Sequence, residues 1–263
     1  MGGVIFGIPI DLAESLVMAG ALTGAVETGT YLGDTAIALR KLVPKVWSVE
    51  LIDSMYRQAQ DHVGNRDGIN LLLGYSPVVL EQLASEVAGP TLFWLDAHGK
   101  TDGVPDVPAG CIECPVLDEI AAIAKFPGAV ESCILIDDAR ALFGPMLQHN
   151  PAEWPTFTEV SDALRSIGDR YVTVLDDIVI AVPSSLRPVV DGWWRTKLRE
   201  RHGYEAMQDR ILQLSDPSPV EASLRLARSL LPAEPRDRLS KWLASRGVKS
   251  PSPRRSYIGS DTE

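Results

Sequence analysis

Short apolar runs alternate along the chain with stretches of helical period. The runs are "GAVET" at 24–28, "KVWSVEL" at 45–51, "INLLLGYS" at 69–76, "TLFWLDAHG" at 91–99 and "SCILIDDA" at 132–139. Each has strand length, is nearly continuous in apolar residues and ends near a small or acidic residue, as suits a parallel sheet covered on both faces. Helices are predicted before the first run, over 10–22, and between the runs, over 33–43, 53–63, 76–87 and 114–126. Ser76 is expected as the N-cap of one of these, with Pro77 at its first helical position. Strand and helix repeated in this way predict a doubly wound α/β fold.

Beyond the fifth run, Thr156 and Glu159 have the spacing of a capping box, so a helix is expected to start there. "RYVTVLDDIVIAVPS" at 170–184 reads as two strands meeting around Asp176 and Asp177, a hairpin closing one sheet edge. Residues 191–246 read as helical additions broken by Pro217, Pro219, Pro232 and Pro235. The polar stretch 249–263 reads as a disordered tail, which leaves residues 1–248 as the folded domain.

The chain has 263 residues, enough for one well-buried α/β domain. A formal net charge of -10 argues against a nucleic-acid partner, because phosphates need a basic face. Three cysteines, Cys111, Cys114 and Cys133, do not make a disulfide framework and point to a reducing cytoplasm. The first basic residue is Arg40, so no signal peptide is expected, and no uncharged run near the start is long enough to span a membrane. A homodimer is the default expectation for such a protein.

The first predicted strand runs into "AVETGTYLGDTA", which sets Glu27, Gly29, Thr30, Gly33 and Thr35 on a strand-to-helix turn. A phosphate-binding Walker loop needs Lys after its second Gly, and Asp34 stands there instead. A dinucleotide fingerprint needs three glycines, and the turn has two, spaced G-x-x-x-G, which argues against a nicotinamide-dependent oxidoreductase. An acidic side chain beside the turn would repel a pyrophosphate but suits a cation.

The pattern E-x-G-x-x-x-G-x-T resembles motif I of the class I S-adenosylmethionine (SAM) dependent methyltransferases. The resemblance implies a Rossmann-like fold with a seven-stranded, mostly parallel sheet and helices on both faces. It also implies SAM as methyl donor, held by Glu27, Gly29, Thr30, Gly33 and Thr35. Glu50, 23 residues after Glu27, would accept hydrogen bonds from the ribose hydroxyls. Gly74, Tyr75 and Ser76 follow the third run, where the family contacts the adenine; the acidic residue often found there is absent.

"WLDAHG" and "LIDDAR" bring Asp96, His98, Asp137, Asp138 and Arg140 to predicted strand ends, where open α/β sheets bind ligands. Three carboxylates there would repel one another unless a cation sat between them, which suits Mg²⁺ or Mn²⁺. The set Asp96, Asp137 and Asp138 resembles metal-dependent O-methyltransferases of the macrocin type, which methylate sugar hydroxyls. The resemblance implies a sugar or oligosaccharide acceptor, with Asp96 also beside the donor. His98 is the first candidate for the base and His149 the second. Two other readings stay open: a metal-independent methyltransferase, and a non-catalytic methyltransferase-like binding module.

Two connections could shape substrate choice. The Gly/Pro-rich stretch 99–115 is long enough to be a lid over the site and carries the Cys111/Cys114 pair. The stretch 142–155 sets His149 and Trp154 among prolines, where Trp154 could face a sugar ring or pack on the core. "GWWRTKLRERHGY" at 192–204 reads as a dimer surface, part of an acceptor groove or an ordinary amphipathic helix.

Overall fold

The computed structural model describes residues 7–99, 105, 107–144, 147 and 149–214. The chain divides into two compact units, Met1–Thr196 and Lys197–Glu263. All of the sheet belongs to the first.

The elements of that unit are α1 (Ile10–Gly20), β1 (Gly24–Thr28), α2 (Asp34–Leu39), β2 (Val46–Glu50), α3 (Asp53–Val63) and β3 (Ile69–Leu73). There follow α4 (Ser76–Leu83), β4 (Thr91–Leu95), α5 (Val116–Ile123), β5 (Cys133–Ile136), α6 (Phe157–Ser166), β6 (Arg170–Leu175) and β7 (Ile178–Pro183). The helix α7 (Arg187–Leu214) begins in the first unit, and in the second the described residues continue it. Pro217, Pro219, Pro232 and Pro235, and the expected tail at 249–263, lie outside the described residues.

The sheet has seven strands in the order β3-β2-β1-β4-β5-β7-β6. The first five are parallel, and β7 runs antiparallel to both β5 and β6. This is the Rossmann-like, mostly parallel seven-stranded arrangement with helices on both faces that the sequence led one to expect. The hairpin expected at 170–184 turns on Asp176 and Asp177, both at positive φ (49° and 70°), which supplies the twist a tight hairpin needs.

Successive strand residues point to opposite faces, so each strand feeds two cores. Val26, Phe93 and Ile134 pack with Leu80, Ile120, Ile123 and Leu164 of α4, α5 and α6. Ala25, Leu92, Trp94 and Leu135 pack on the other face with Leu12 and Leu16 of α1, Leu39 of α2 and Val190 of α7. Trp193 is buried in that second cluster and Trp194 packs against it, so this Trp pair supports the core.

The capping box at α6 forms as expected: Thr156 Oγ1 accepts from the Glu159 amide, and the Glu159 carboxylate accepts from the Thr156 amide. The expected Ser76 cap does not form. Ser76 is the first helical residue of α4, Tyr75 stands at the cap, and the buried Ser76 hydroxyl makes no cap bond. Among the described residues no helix is long and apolar enough to cross a membrane.

Candidate functional site

Strand order reverses between β1 and β4, the switch point where doubly wound sheets bind ligands. A cavity of about 450 Å³ opens there, at the C-terminal ends of β1, β2 and β4. That lies within the range of roughly 300–1,000 Å³ usual for small-molecule sites. Its walls include Gly29, Glu50, Tyr75, Ser76 and Asp96 from the expected donor set. They also include Tyr31, Ile52, Met55, Val107 and Ile112, an apolar and aromatic lining. The acidic residues Glu50 and Asp96 line the cavity, Glu113 lines it with its carboxylate turned to the segment 149–154, and no Lys or Arg does among the described residues.

Gly29 has φ +82° and its amide bonds to Val49 O of the neighbouring strand. A Cβ on it would meet the Asp96 carbonyl oxygen at 2.3 Å, so the glycine lets β1 and β4 close the cavity floor. Gly33 has φ +87° and lies under α3, where a Cβ would stand 2.6 Å from Val63 Cγ2. Both glycines are therefore required by the protein's own packing.

Glu50 is fixed by backbone: Tyr31 N donates to one carboxylate oxygen and Ile52 N to the other, each at 2.9 Å. Each oxygen keeps a lone pair for a ligand hydroxyl. Glu27 behaves differently from the expectation that it faces the donor. It is 1% exposed and is not part of the cavity wall. Ser48 Oγ donates to its carboxyl at 2.5 Å, and Ser48 and Thr30 hydroxyls share a 2.6 Å bond. Burial pushes the Glu27 carboxyl up to about 8, against the opposing bond from Ser48. Glu27, Thr30, Gly33 and Thr35 thus build the turn from beneath, and Gly29 is the member of that motif that reaches the cavity.

A second pocket of about 250 Å³ adjoins the first and shares His98 and Gly99 with it. Asp138, Arg140, His149 and Trp154 also line it. His98 Nε2 lies 3.0 Å from Asp138 Oδ2 and 3.7 Å from Asp96 Oδ1. Burial alone would lower the His98 pKa, but the bond to Asp138 and the charges of Asp96, Asp138 and Asp137 outweigh it and hold the imidazole above its ordinary value. Burial, aided by the neighbouring carboxylates, pushes Asp96 up to about 7. Asp138 is held low, chiefly by its bond to His98.

Asp137 and Asp138, expected as metal ligands, are engaged by the protein's own groups. Among the described residues, no group of three or more His, Cys, Asp or Glu side chains is arranged to hold a metal ion. Asp138 gives one oxygen to His98 and the other to Arg140, whose Nη2 is 2.6 Å away. Asp137 accepts from the Asp138 amide at 2.8 Å. Both oxygens of Asp138 are thus already bonded by the protein's own side chains where a divalent ion was expected. Arg140 is held in turn by Asp177 at the tip of the β6–β7 hairpin, a residue expected only as part of a turn.

Glu113 was not expected in the site. It is 3% exposed and lies between the two cysteines. Its Oε2 accepts from Trp154 Nε1 at 2.9 Å, from the Asn150 amide at 3.0 Å and from His149 Nδ1 at 3.0 Å. Trp154 presents its ring at steep angles to both histidines, with centroids 5.6 Å from His98 and 5.1 Å from His149. It both lines the second pocket and packs on the core. Cys111 and Cys114 are free thiols, and burial pushes Cys114 up to about 12. The one signal for Glu113 in the sequence was an acidic residue inside an otherwise apolar "CIEC", which spacing alone does not connect to residues near 150.

No protein-family model matches the chain, and no curated protein matches it. Solved structures do. A Staphylococcus aureus structure named for a caffeoyl-CoA O-methyltransferase is 11% identical, with 70% of this chain and 86% of that one covered at a TM-score of 0.47. The O-methyltransferase TomG of Streptomyces achromogenes, in complex with SAM, is 14% identical over 69% of this chain and 82% of its own, at a TM-score of 0.46. An O-methyltransferase from Bacillus cereus is 14% identical over 67% and 82%, at 0.44. At such identities no residue role transfers from them.

Proposed function

We propose that the protein is a SAM-dependent O-methyltransferase whose acceptor is a hydroxyl of a sugar or related polyol. The observation that carries this reading is an acidic cavity without Lys or Arg among its described walls, joined through His98 to a second, polar and aromatic pocket. A carboxylate-lined cavity favours a cationic ligand and repels a dinucleotide's phosphates.

When bound, SAM supplies a methyl group on a positively charged sulfur. Glu50, already oriented by two amides, would accept ribose hydroxyls. Tyr75, Ile52, Met55 and Ile112 would enclose the adenine. Asp96 would face the cationic part of the donor, whose charge favours the ionised carboxylate. In the second pocket Arg140 and Asp138 would hold acceptor hydroxyls, and the Trp154 ring offers a surface for the C–H face of a sugar. Transfer breaks the S–CH₃ bond and forms an O–CH₃ bond, and the hydroxyl proton passes to His98. Asp138 then stabilises the imidazolium that results. Holding donor carbon and acceptor oxygen in line is the larger part of the work, since the sulfonium methyl is already electrophilic.

The test is incubation with labelled SAM and a panel of sugars and catechols, with and without chelator, read by mass spectrometry, alongside calorimetry with SAM. Micromolar binding of SAM and methylation of a hydroxylated acceptor are expected. Absence of binding in that range would leave a non-catalytic module in its place.

A further inference from the structure

The geometry points to Glu113 as a positioning residue for methyl transfer, one that fixes His149 in a single tautomer and braces Trp154 against His98. The inference rests on reading the two pockets as donor and acceptor sites.

Three donors converge on a single oxygen of Glu113, at 2.9, 3.0 and 3.0 Å. An oxygen that accepts three hydrogen bonds belongs to an ionised carboxylate, which has no proton to give. Consistent with that, the bonds from Trp154, Asn150 and His149 outweigh burial and hold the Glu113 carboxyl below its ordinary value. Since Glu113 cannot donate, the proton between it and His149 sits on Nδ1 of the histidine. In the Nδ1–H tautomer Nε2 is bare and can accept from a hydroxyl in the pocket His149 lines. The same oxygen fixes the indole of Trp154, whose ring packs against both histidines.

Glu113 also ties this wall to the donor side. Its carbonyl accepts from the Gly99 amide at 2.9 Å, closing the neck of the 99–113 loop next to His98. Its amide donates to Glu153 at 2.8 Å. Glu113 and Ile112 line the donor cavity, whereas the three groups bonded to its carboxylate belong to the segment 149–154 beside the acceptor pocket. One buried side chain thus joins the two segments that flank the junction.

The test compares wild type with Glu113→Met, which keeps the size and removes the acceptor, and Glu113→Gln, which keeps an acceptor oxygen. Long-range ¹H–¹⁵N NMR of the whole chain at neutral pH is expected to show His149 protonated at Nδ1 in wild type. With the best acceptor from the panel, Glu113→Met is expected to raise acceptor KM about tenfold. Its kcat should fall less than KM rises, and calorimetric affinity for S-adenosylhomocysteine should stay within about threefold. Glu113→Gln should recover most of the loss. His149 protonated at Nε2 in wild type would overturn the inference, as would a folded Glu113→Met with unchanged KM. Should Glu113→Met not fold, the wild-type tautomer decides. Failure of wild type to bind S-adenosylhomocysteine would sink the donor reading and leave the tautomer result standing.

Discussion

Gly29 lies so close to Asp96 that a Cβ on it would come within 2.3 Å of the Asp96 carbonyl oxygen. The contact joins the ends of β1 and β4 at the point where strand order reverses. Relief would need movement of backbone on one strand or the other, and the residue's φ of +82° adds strain for any side chain. Gly29→Ala is expected to cost about 2–4 kcal/mol in denaturant unfolding. It should also weaken SAM binding at least tenfold by calorimetry. A variant with wild-type stability and affinity would show that the floor can give.

His98 is the side chain common to both pockets. His98→Ala is expected to keep SAM affinity within a few-fold and to lower turnover by about 10²–10⁴, the usual worth of a positioned base. If turnover survives, the proton goes elsewhere, and His149 is the next group to replace.

Because His98 and Arg140 already meet the Asp138 carboxylate, chelator treatment is expected to leave turnover intact. Loss of activity on chelation, restored by Mg²⁺ or Mn²⁺ alone, would put a cation among Asp96, Asp137 and Asp138 and overturn the charge assignment given to Arg140.

Glu27 makes ligand-free stability depend on pH. Its folded pKa of about 8 lies above the ordinary 4.5, because burial penalises the charged form. Between those values the folded chain keeps a proton that the unfolded chain has released. The stability from this group is therefore complete below pH 4.5 and is lost as pH rises through 8. Glu27→Gln should remove that decline, so the Tm difference between wild type and variant should change with pH in favour of the variant from pH 5 to 8.5. Parallel Tm curves would refute the assignment.

Arg170 stands at the start of β6 with 6% of its surface exposed. Its guanidinium donates to the carbonyls of Ser132, at 2.8 Å, and Ala129, and more weakly to Ala181. It ties the edge hairpin to the turn before β5. Arg170→Met leaves those carbonyls without their donors and is expected to destabilise the fold by about 2–4 kcal/mol. The readout is denaturant unfolding, and a change below about 0.5 kcal/mol would mean that water replaces the guanidinium.

The parts of the fold legible in the sequence were those set by neighbours in the chain. "GAVET" and "TLFWL" declare strands by unbroken apolar content, Thr156 and Glu159 declare a helix start, and Asp176–Asp177 declare a turn. Ser76 misled because a serine before a helix is a frequent cap, and Pro77 can occupy either of the first two helical positions. The structure places Ser76 one residue inside the helix, with its hydroxyl buried. The site was legible in part for the same reason. Glu50, Asp96 and His98 sit at strand ends, and strand ends converge in any sheet of this kind.

The sequence by itself determined the order of elements, the parallel sheet and the strand-end location of the chemistry, because periodicity and capping act over a few residues. Only the tertiary structure decided what each side chain meets. In a strand buried on both sides no polar alternation marks the inward face, so Glu27 under the turn and Asp96 at the cavity look alike in one dimension. Glu113 meets His149 across 36 residues and Arg140 meets Asp177 across 37, pairings made by the packing of separate segments. Those contacts fix which carboxylates stay charged and which partners hold them.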